Sequence, residues 1–488
     1  MISSFFSTIF ALGLLGTSHA YDGSLFDNVV SYWGQNSFGA TNGSDVANFQ
    51  QPLAHYCGDD AVDVFPIAFL NVFFSSGNLP SMNLATCNPT DNTTFPGTLL
   101  PDCSALASDI ETCQAAGKLV TISLGGANGG VGFTSDAEGT AFAQTIWDLF
   151  LGGSSSTRPF GSAVLDGVDL DIEQGGSTGY AAFVTEIRSL ASGASKQYFI
   201  TGAPQCVFPD ASLGSVIDAV GFDAIYVQFY DNPCGLQAFE TTNWNFGVWD
   251  NWARTTSPNP DVKIFLGAPA APLAAGSGFV NIETLSSFAV QMRNSFPSFG
   301  GVMLWDESQA FANDRYDLAI KNALVAAGST GFTFPPCTAP AYVSGMNYEG
   351  GSLVSFDGYI FEAKFFASDT PSNNPNGDWA AISACSGTGG SGAPPTSTSP
   401  TSSSHTSTST SASASPTSGN CAGVAAWSNL VAYPGGSKVT FNGDLWTSLF
   451  FSEDSAPGGA AQVWVDDGPC TASRRAVERS NSRFFTKF

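Results

Sequence analysis

The chain has 488 residues, enough for about two to four domains and for a large core. Its 16 Lys and Arg against 41 Asp and Glu leave a formal charge of −25, which repels phosphate backbones and sets nucleic acid aside as a partner. With 12% charged, 43% hydrophobic and 13% aromatic residues, the composition is that of a packed globular protein rather than a disordered one.

Along the chain, residues 5–15 form a short apolar stretch, followed by the small residues Ser18 and Ala20. That layout predicts a secretory signal peptide over residues 1–20, cleaved before Tyr21. It is too short to span a bilayer, and no other transmembrane segment is expected. Ten cysteines, an even number, agree with an oxidising compartment. The sequons at Asn42 and Asn92 make those asparagines candidate glycosylation sites. The chain is therefore expected outside the cell or in its wall, as a monomer.

Between residues 21 and 334, apolar β-branched and aromatic runs alternate with longer mixed segments. Strands are predicted at 29–33, 62–69, 119–124, 167–172, 198–203, 224–228, 263–268 and 301–305. Near-continuous apolar runs separated by helix-length intervals are the pattern of parallel strands buried on both faces. Eight of them in this length predict an α/β fold, a (β/α)₈ TIM barrel, although a doubly wound open sheet produces the same periodicity. Residues 386–420 are almost all Ser, Thr, Gly, Pro and Ala, a stalk-like linker that cannot build a core. On either side lies one copy of a repeat at an offset of 85 residues. Val354-Ser355-Phe356-Asp357-Gly358 matches Val439-Thr440-Phe441-Asn442-Gly443, and Trp379 matches Trp464. The copies predict two small all-β modules, 337–385 and 421–470, each bounded by a cysteine pair, Cys337 with Cys385 and Cys421 with Cys470. The tail 471–488 carries Arg474, Arg475, Arg479, Arg483 and Lys487 against Glu478 alone; it reads as a processing site or a solvated end.

The chemistry concentrates in Asp166-Gly167-Val168-Asp169-Leu170-Asp171-Ile172-Glu173. On a strand, Asp169, Asp171 and Glu173 share one face and Val168, Leu170 and Ile172 the other. Carboxylates crowded on a buried face raise one another's pKa, which prepares a general acid. Glu173, last of the three, would open onto the end of the barrel where such enzymes work. A solvated edge strand or a calcium site would also place acids at this period. Among the three histidines, His19 falls in the signal, His405 in the linker and only His55 in the barrel region. A metal site or thiol catalysis is accordingly not expected, and no cofactor is implied.

This acidic motif, with Ser123-Leu124-Gly125-Gly126 on the preceding strand, resembles the two signatures of glycoside hydrolase family 18, the chitinases. Tyr32-Trp33-Gly34-Gln35-Asn36, Ala203-Pro204-Gln205-Cys206, Val227-Gln228-Phe229-Tyr230 and Leu304-Trp305-Asp306 are similar to the class III, plant-type members also found in fungi. The resemblance implies that Glu173 protonates the glycosidic oxygen and that the substrate's own acetamido group acts as nucleophile, forming an oxazolinium ion. Asp171 would hold the acetamido N–H, Asp169 would share a proton with Asp171, and Tyr230 would bind the acetamido carbonyl. Gln35, Gln228 and Trp305 would line the subsite of the reacting sugar. Asp231 departs from the asparagine usual in the family and adds a charge beside the cleft. Six cysteines allow fifteen pairings; the resemblance implies Cys57 with Cys113, Cys87 with Cys103, and Cys206 with Cys234.

The segment Phe361-Glu362-Ala363-Lys364-Phe365-Phe366 is similar to chitin-binding modules of carbohydrate-binding families five and twelve. Sugar contacts are expected at Tyr342, Phe366 and Trp379 and, in the second copy, at Trp427, Phe451 and Trp464, although such rings also serve as module cores. The expectation is a secreted, retaining endochitinase acting on chitin and N-acetylglucosamine oligosaccharides. A chitin-binding wall lectin, or an endo-N-acetylglucosaminidase acting on N-glycan chitobiose cores, is the alternative.

Overall fold

The computed structural model describes residues 21–387, 421, 424–428, 438–448, 456–458 and 464–470. The signal, the linker from residue 388 onward, Phe451 and the basic tail lie outside them.

Eight parallel strands close into a barrel, which excludes the open sheet. They are β1 Asn28–Ser31, β2 Val64–Leu70, β3 Leu119–Gly125, β4 Gly167–Asp171, β5 Phe199–Gly202, β6 Ala224–Gln228, β7 Lys263–Pro269 and β8 Phe299–Trp305. Closure comes from β1 pairing with β8, Asn28 opposite Gly301 and Ser31 opposite Leu304. Side chains alternate between two cores. Val30, Tyr32, Val64, Ala68, Tyr226, Phe265 and Met303 fill the inside of the barrel. Their neighbours Val29, Phe65, Ile67, Ile225, Val227, Leu266 and Val302 face the surrounding helices. Each fully buried apolar side chain contributes about 1.5–3 kcal/mol, and this double burial is why the strands read as continuous apolar runs.

The crossover helices carry their own start signals. Asp136–Phe150 opens on Ser135, whose side chain accepts from the Glu138 N–H, while Glu138 Oε2 accepts from the Thr134 N–H at 2.6 Å. The arrangement resembles a capping box, shifted so that Glu138 takes the N–H of the residue before the N-cap. The helix buries Phe142, Ala143, Ile146, Trp147 and Phe150, the one-sided spacing expected of a helix laid on a barrel. At the far end of the barrel from the strand C-termini, a repeated device fixes register. Asp63, Asp166 and Asp223, each just before β2, β4 or β6, accept from the N–H of Val29, Val120 and Ile200 at 2.7–2.8 Å. Lys321, Lys196 and Arg188 pair with these three carboxylates at 2.8 Å. Asp166, first acid of the motif, therefore pins strands and stands away from the chemistry.

The first repeat copy is a three-stranded sheet of β9 Leu353–Phe356, β10 Tyr359–Ala363 and β11 Trp379–Ala384, in the same compact unit as the barrel. The second, in the other unit, is a sheet of β12 Lys438–Phe441, β13 Asp444–Ser448 and β14 Trp464–Pro469. The repeat is explained by one hairpin. Asp357 and Gly358 in the first copy, and Asn442 and Gly443 in the second, all have positive φ, as a two-residue type I′ turn demands. A register shift also recurs at matching places, between Ile360 and Phe361 and between Leu445 and Trp446. Five disulfides close: Cys57–Cys113, Cys87–Cys103, Cys206–Cys234, Cys337–Cys385 and Cys421–Cys470.

Candidate active site

A cleft of about 420 Å³ opens at the C-terminal ends of the barrel strands. Asp169, Asp171 and Glu173 rise towards it along β4 and its exit. Strand β4 lies between β3 and β5 with Asp169 fully buried, which removes the solvated-edge alternative. In register, Ser123, Asp169 and Thr201 form one rung across β3, β4 and β5. Asp169 Oδ2 accepts from the hydroxyls of Ser123 at 2.7 Å and Tyr32 at 2.8 Å, and Oδ1 accepts from Thr201 at 2.7 Å. Three hydroxyl donors thus satisfy this carboxylate. Each such bond to a charged acceptor is worth about 1.5–3 kcal/mol, yet burial dominates and holds the Asp169 pKa above the ordinary carboxylate range.

Asp171 is held well above that range, first by burial and then by the charges of Glu173 and Asp169. Its Oδ1 accepts from Gln228 Nε2 at 2.9 Å, and Gln228 lies near enough to Glu173 to lower its pKa. Asp171 and Glu173 lie close enough to act on each other's ionisation: the charge of Glu173 pushes Asp171 up, and Asp171 in turn lowers Glu173. The resemblance implies a proton shared between Asp169 and Asp171; in this conformation the charge of Glu173 acts on Asp171 ahead of that of Asp169. Glu173 is half-buried at the cleft, its pKa raised by burial and by Asp231 and Asp210, against the lowering effect of Gln228 and Asp171.

Gln35, Gln228, Tyr230 and Trp305 all line the cleft. Gln35 Nε2 donates to the carbonyls of Ala68 and Asn83 at 2.8 and 2.9 Å, which fixes the amide at the rim. Trp305 stacks on Phe69 with centroids 5.7 Å apart and the planes 19° from parallel, making an apolar floor. The Ser-Leu-Gly-Gly stretch has a steric reason. A β-carbon on Gly125, at φ +117°, would overlap the Asp171 carbonyl oxygen, and one on Gly126, at φ +83°, would strike the Phe69 ring. The Gly126 N–H donates to that same carbonyl at 2.8 Å. Two glycines therefore let β3 close upon the acid.

Sequence reasoning missed Tyr32 and Thr201 as partners of Asp169, and Phe69 as the support of Trp305. Tyr32 stood in a motif quoted for the resemblance, but its reach across the barrel to Asp169 has no local signal. Asp231 lines the cleft at φ +53°, its Oδ1 accepting from the Ser277 N–H at 2.8 Å.

In the first module Trp379 is only 2% exposed and packs on Tyr348, so it belongs to the module's core and not to a sugar face. Trp464 is buried in the same way. Tyr342 is half-buried, its hydroxyl donating to the Asp369 carbonyl at 3.2 Å, and Trp427 is half-buried against Phe441. Phe366 is 55% exposed, and Phe365, which drew no assignment from sequence, is 61% exposed. Asn42 and Asn92 are half-buried on loops, their side chains bonded to nearby chain.

Barrel, glycine-lined approach and carboxyl pair together define a (β/α)₈ protein with an acid site at the strand ends. Residues 28–279 match the family Glycosyl hydrolases family 18, and the chain belongs to it. It is 50% identical to Chitinase 1 of Rhizopus niveus over 59% of this chain and 55% of that protein. Against the Endochitinase of Saccharomyces cerevisiae it is 40% identical over 67% of this chain and 55% of that one. The chain thus spans about half the length of these curated relatives. Among solved structures, the ICChI chitinase from Ipomoea carnea matches with a TM-score of 0.51 and 32% identity, covering 61% of this chain and 99% of that one.

Proposed function

We propose that the protein is a secreted chitinase that cleaves β-1,4-linked N-acetylglucosamine chains internally, with retention, using the substrate's acetamido group as nucleophile. The observation that carries this reading is the Asp171–Glu173 pair. The two carboxyls act directly on each other's ionisation, which supports reading them as one acid unit rather than as the separate acid and enzyme nucleophile that stand roughly 5–5.5 Å apart. The third carboxylate at the cleft, Asp231, is engaged by the Ser277 N–H. Both observations support the sugar's own acetamido group as the nucleophile.

In the proposed sequence Glu173, protonated through its raised pKa, gives its proton to the glycosidic oxygen as the bond to the anomeric carbon breaks. The acetamido carbonyl oxygen attacks that carbon from the opposite face, and the resulting oxazolinium ion faces Asp171, which takes the acetamido N–H. Tyr230, whose own ionisation is suppressed first by burial and next by the charge of Asp171, remains a hydroxyl donor for the acetamido oxygen. The Glu173 carboxylate then accepts a proton from the water that opens the ring, which returns the acid to its starting state. Trp305 on Phe69 supplies a flat apolar surface for the distorted sugar. The relatives named chitinases and the paired C-terminal modules, which would hold an insoluble polymer by avidity, favour chitin over an N-glycan core. Signal, sequons and disulfides favour export to the wall or beyond.

Proton NMR of a short N-acetylglucosamine oligomer in the first minutes of digestion tests the reading. The new reducing end is expected as the β-anomer, and Glu173→Gln is expected to bind the oligomer without cutting it. An initial α-anomer would end the acetamido mechanism, and binding without any cleavage by the unaltered chain would favour a lectin.

A further inference from the structure

The first module is docked on the barrel in one orientation. Strand β11 lies against the helix Phe246–Thr255, where a β-carbon on Gly247 would overlap the Ala381 carbonyl oxygen. The Tyr359 hydroxyl donates to Asp250 Oδ2 at 2.7 Å, and Asp250, fully buried, also accepts from the N–H and hydroxyl of Ser298 at 3.0 and 2.6 Å. Arg254 pairs with Asp250 at 3.5 Å and lies 5.0 Å over the Tyr359 ring.

These contacts set the direction of the module. The Phe246–Thr255 helix begins at the cleft end of the barrel, because it follows the loop leaving β6. Tyr359, at the start of β10, meets Asp250 and Arg254 further down the helix. Ala381, paired with Phe361, meets Gly247 near its start. Strand β10 therefore climbs towards the cleft end and delivers Lys364, Phe365 and Phe366 there. Between them and the β6 exit loop run two adjoining grooves of about 550 and 220 Å³, both bordered by Thr242, Trp244, Lys364 and Ala380.

We infer that this composite groove is a fixed, non-catalytic binding site for the same N-acetylglucosamine chain that enters the cleft, made jointly by the barrel and the first module. The inference rests on the chitinase reading of the cleft. Its walls combine rings, Phe239, Trp244 and Phe365, with the amides Asn243 and Asn376. Flat apolar faces beside amide donors and acceptors match a neutral acetamido sugar, whose ring carbons stack while its edges hydrogen bond. Glu240 and Glu362 against Lys364 leave little net charge on the groove to attract an ionic ligand. The wall is also held in place. Trp244 packs on Phe229 and Phe239 at 4.8 and 5.0 Å between ring centroids, and Lys364 Nζ donates to the Pro375 carbonyl at 2.7 Å. The loop that presents Tyr230, Asp231 and Asn232 to the cleft continues, past the Cys206–Cys234 disulfide, into this wall. Cleft and groove thus share one braced loop, and a bound chain gains contacts without the entropy of ordering a tether.

The test uses the full chain carrying Glu173→Gln, titrated by calorimetry with a short N-acetylglucosamine oligomer that fills the cleft alone and with one long enough to leave it. Adding Phe365→Ala, on an exposed ring, is expected to weaken binding of the long oligomer about fivefold and to leave the short one unchanged. Asn243→Ala, also exposed, should act in the same direction. The second module is present throughout, so its contribution cancels. Equal losses at both lengths, or none at either, overturn the groove. Hydrolysis of the short oligomer by the unaltered chain reads the catalytic proposal separately. If it is cut while long-chain binding ignores Phe365 and Asn243, the groove falls alone; if it is not cut while long-chain binding depends on them, the catalytic reading falls and the groove stands. No binding at either length removes both.

Discussion

Asp231 places a negative charge beside Glu173, which in the proposed mechanism must carry a proton to act. Its field raises the Glu173 pKa, behind burial, which is the larger cause. A raised pKa keeps Glu173 protonated to higher pH, so activity survives further into the alkaline range and fails as pH rises through the raised value. Removing the charge by Asp231→Asn lowers that pKa. The alkaline limb of the kcat/KM profile is expected to move towards acid by about half a pH unit, since Asp231 is exposed and its field is screened. Asp231→Glu should leave the limb in place. A limb that stays put in the asparagine variant would show that the charge acts on something other than Glu173. The departure from the family's asparagine was legible in the sequence; its effect on Glu173 required knowing that both residues face one cleft.

At the level of elements, the site depends on β3 and β4 meeting at their ends. Ser123, Asp169 and Thr201 form a rung, and two residues further on Gly125 stands opposite Asp171. Because a side chain at Gly125 would overlap the Asp171 carbonyl and the backbone there has φ +117°, Gly125→Ala must push the strands apart or strain both. The expected cost is about 3 kcal/mol in urea unfolding, with kcat at least about tenfold lower as Asp171 and Glu173 lose register. Stability and kcat close to those of the unaltered protein would mean that the close approach is dispensable. The alternation of acids with Val168, Leu170 and Ile172 told from sequence which side chains share a face, because a strand has a period of two. It could not tell that β4 is central, nor that Tyr32 closes the hydrogen-bond set of Asp169 from a position 137 residues away.

Over the whole molecule, the two repeat copies share a sequence pattern but belong to different compact units. The first is joined to the barrel through buried Asp250, which satisfies Ser298 of the barrel and Tyr359 of the module together. Tyr359→Phe removes one charge-assisted hydrogen bond, a loss of about 1.5–3 kcal/mol. Amide hydrogen exchange should quicken in Tyr359–Ala363 and Trp379–Ala384 and stay unchanged in the barrel strands. Unchanged exchange in the module would show that Gly247 and the apolar contacts hold it without the tyrosine. The sequence revealed a repeat and a linker after it, and nothing in it marked 337–385 as docked, because the contact pairs residues more than a hundred positions apart.

By itself, then, the sequence determined the eight strands, the face on which the acids lie, and the turn residues Asp357-Gly358 and Asn442-Gly443 that make each module's hairpin. These follow from local rules of period, burial and φ that act over a few residues. Only the tertiary structure decided that the sheet closes, that Asp171 accepts from Gln228 beside Glu173, that Trp379 is core while Phe365 is exposed, and that the first module faces the cleft end. Each of these depends on which distant surfaces meet, and neighbouring residues carry no physical record of that.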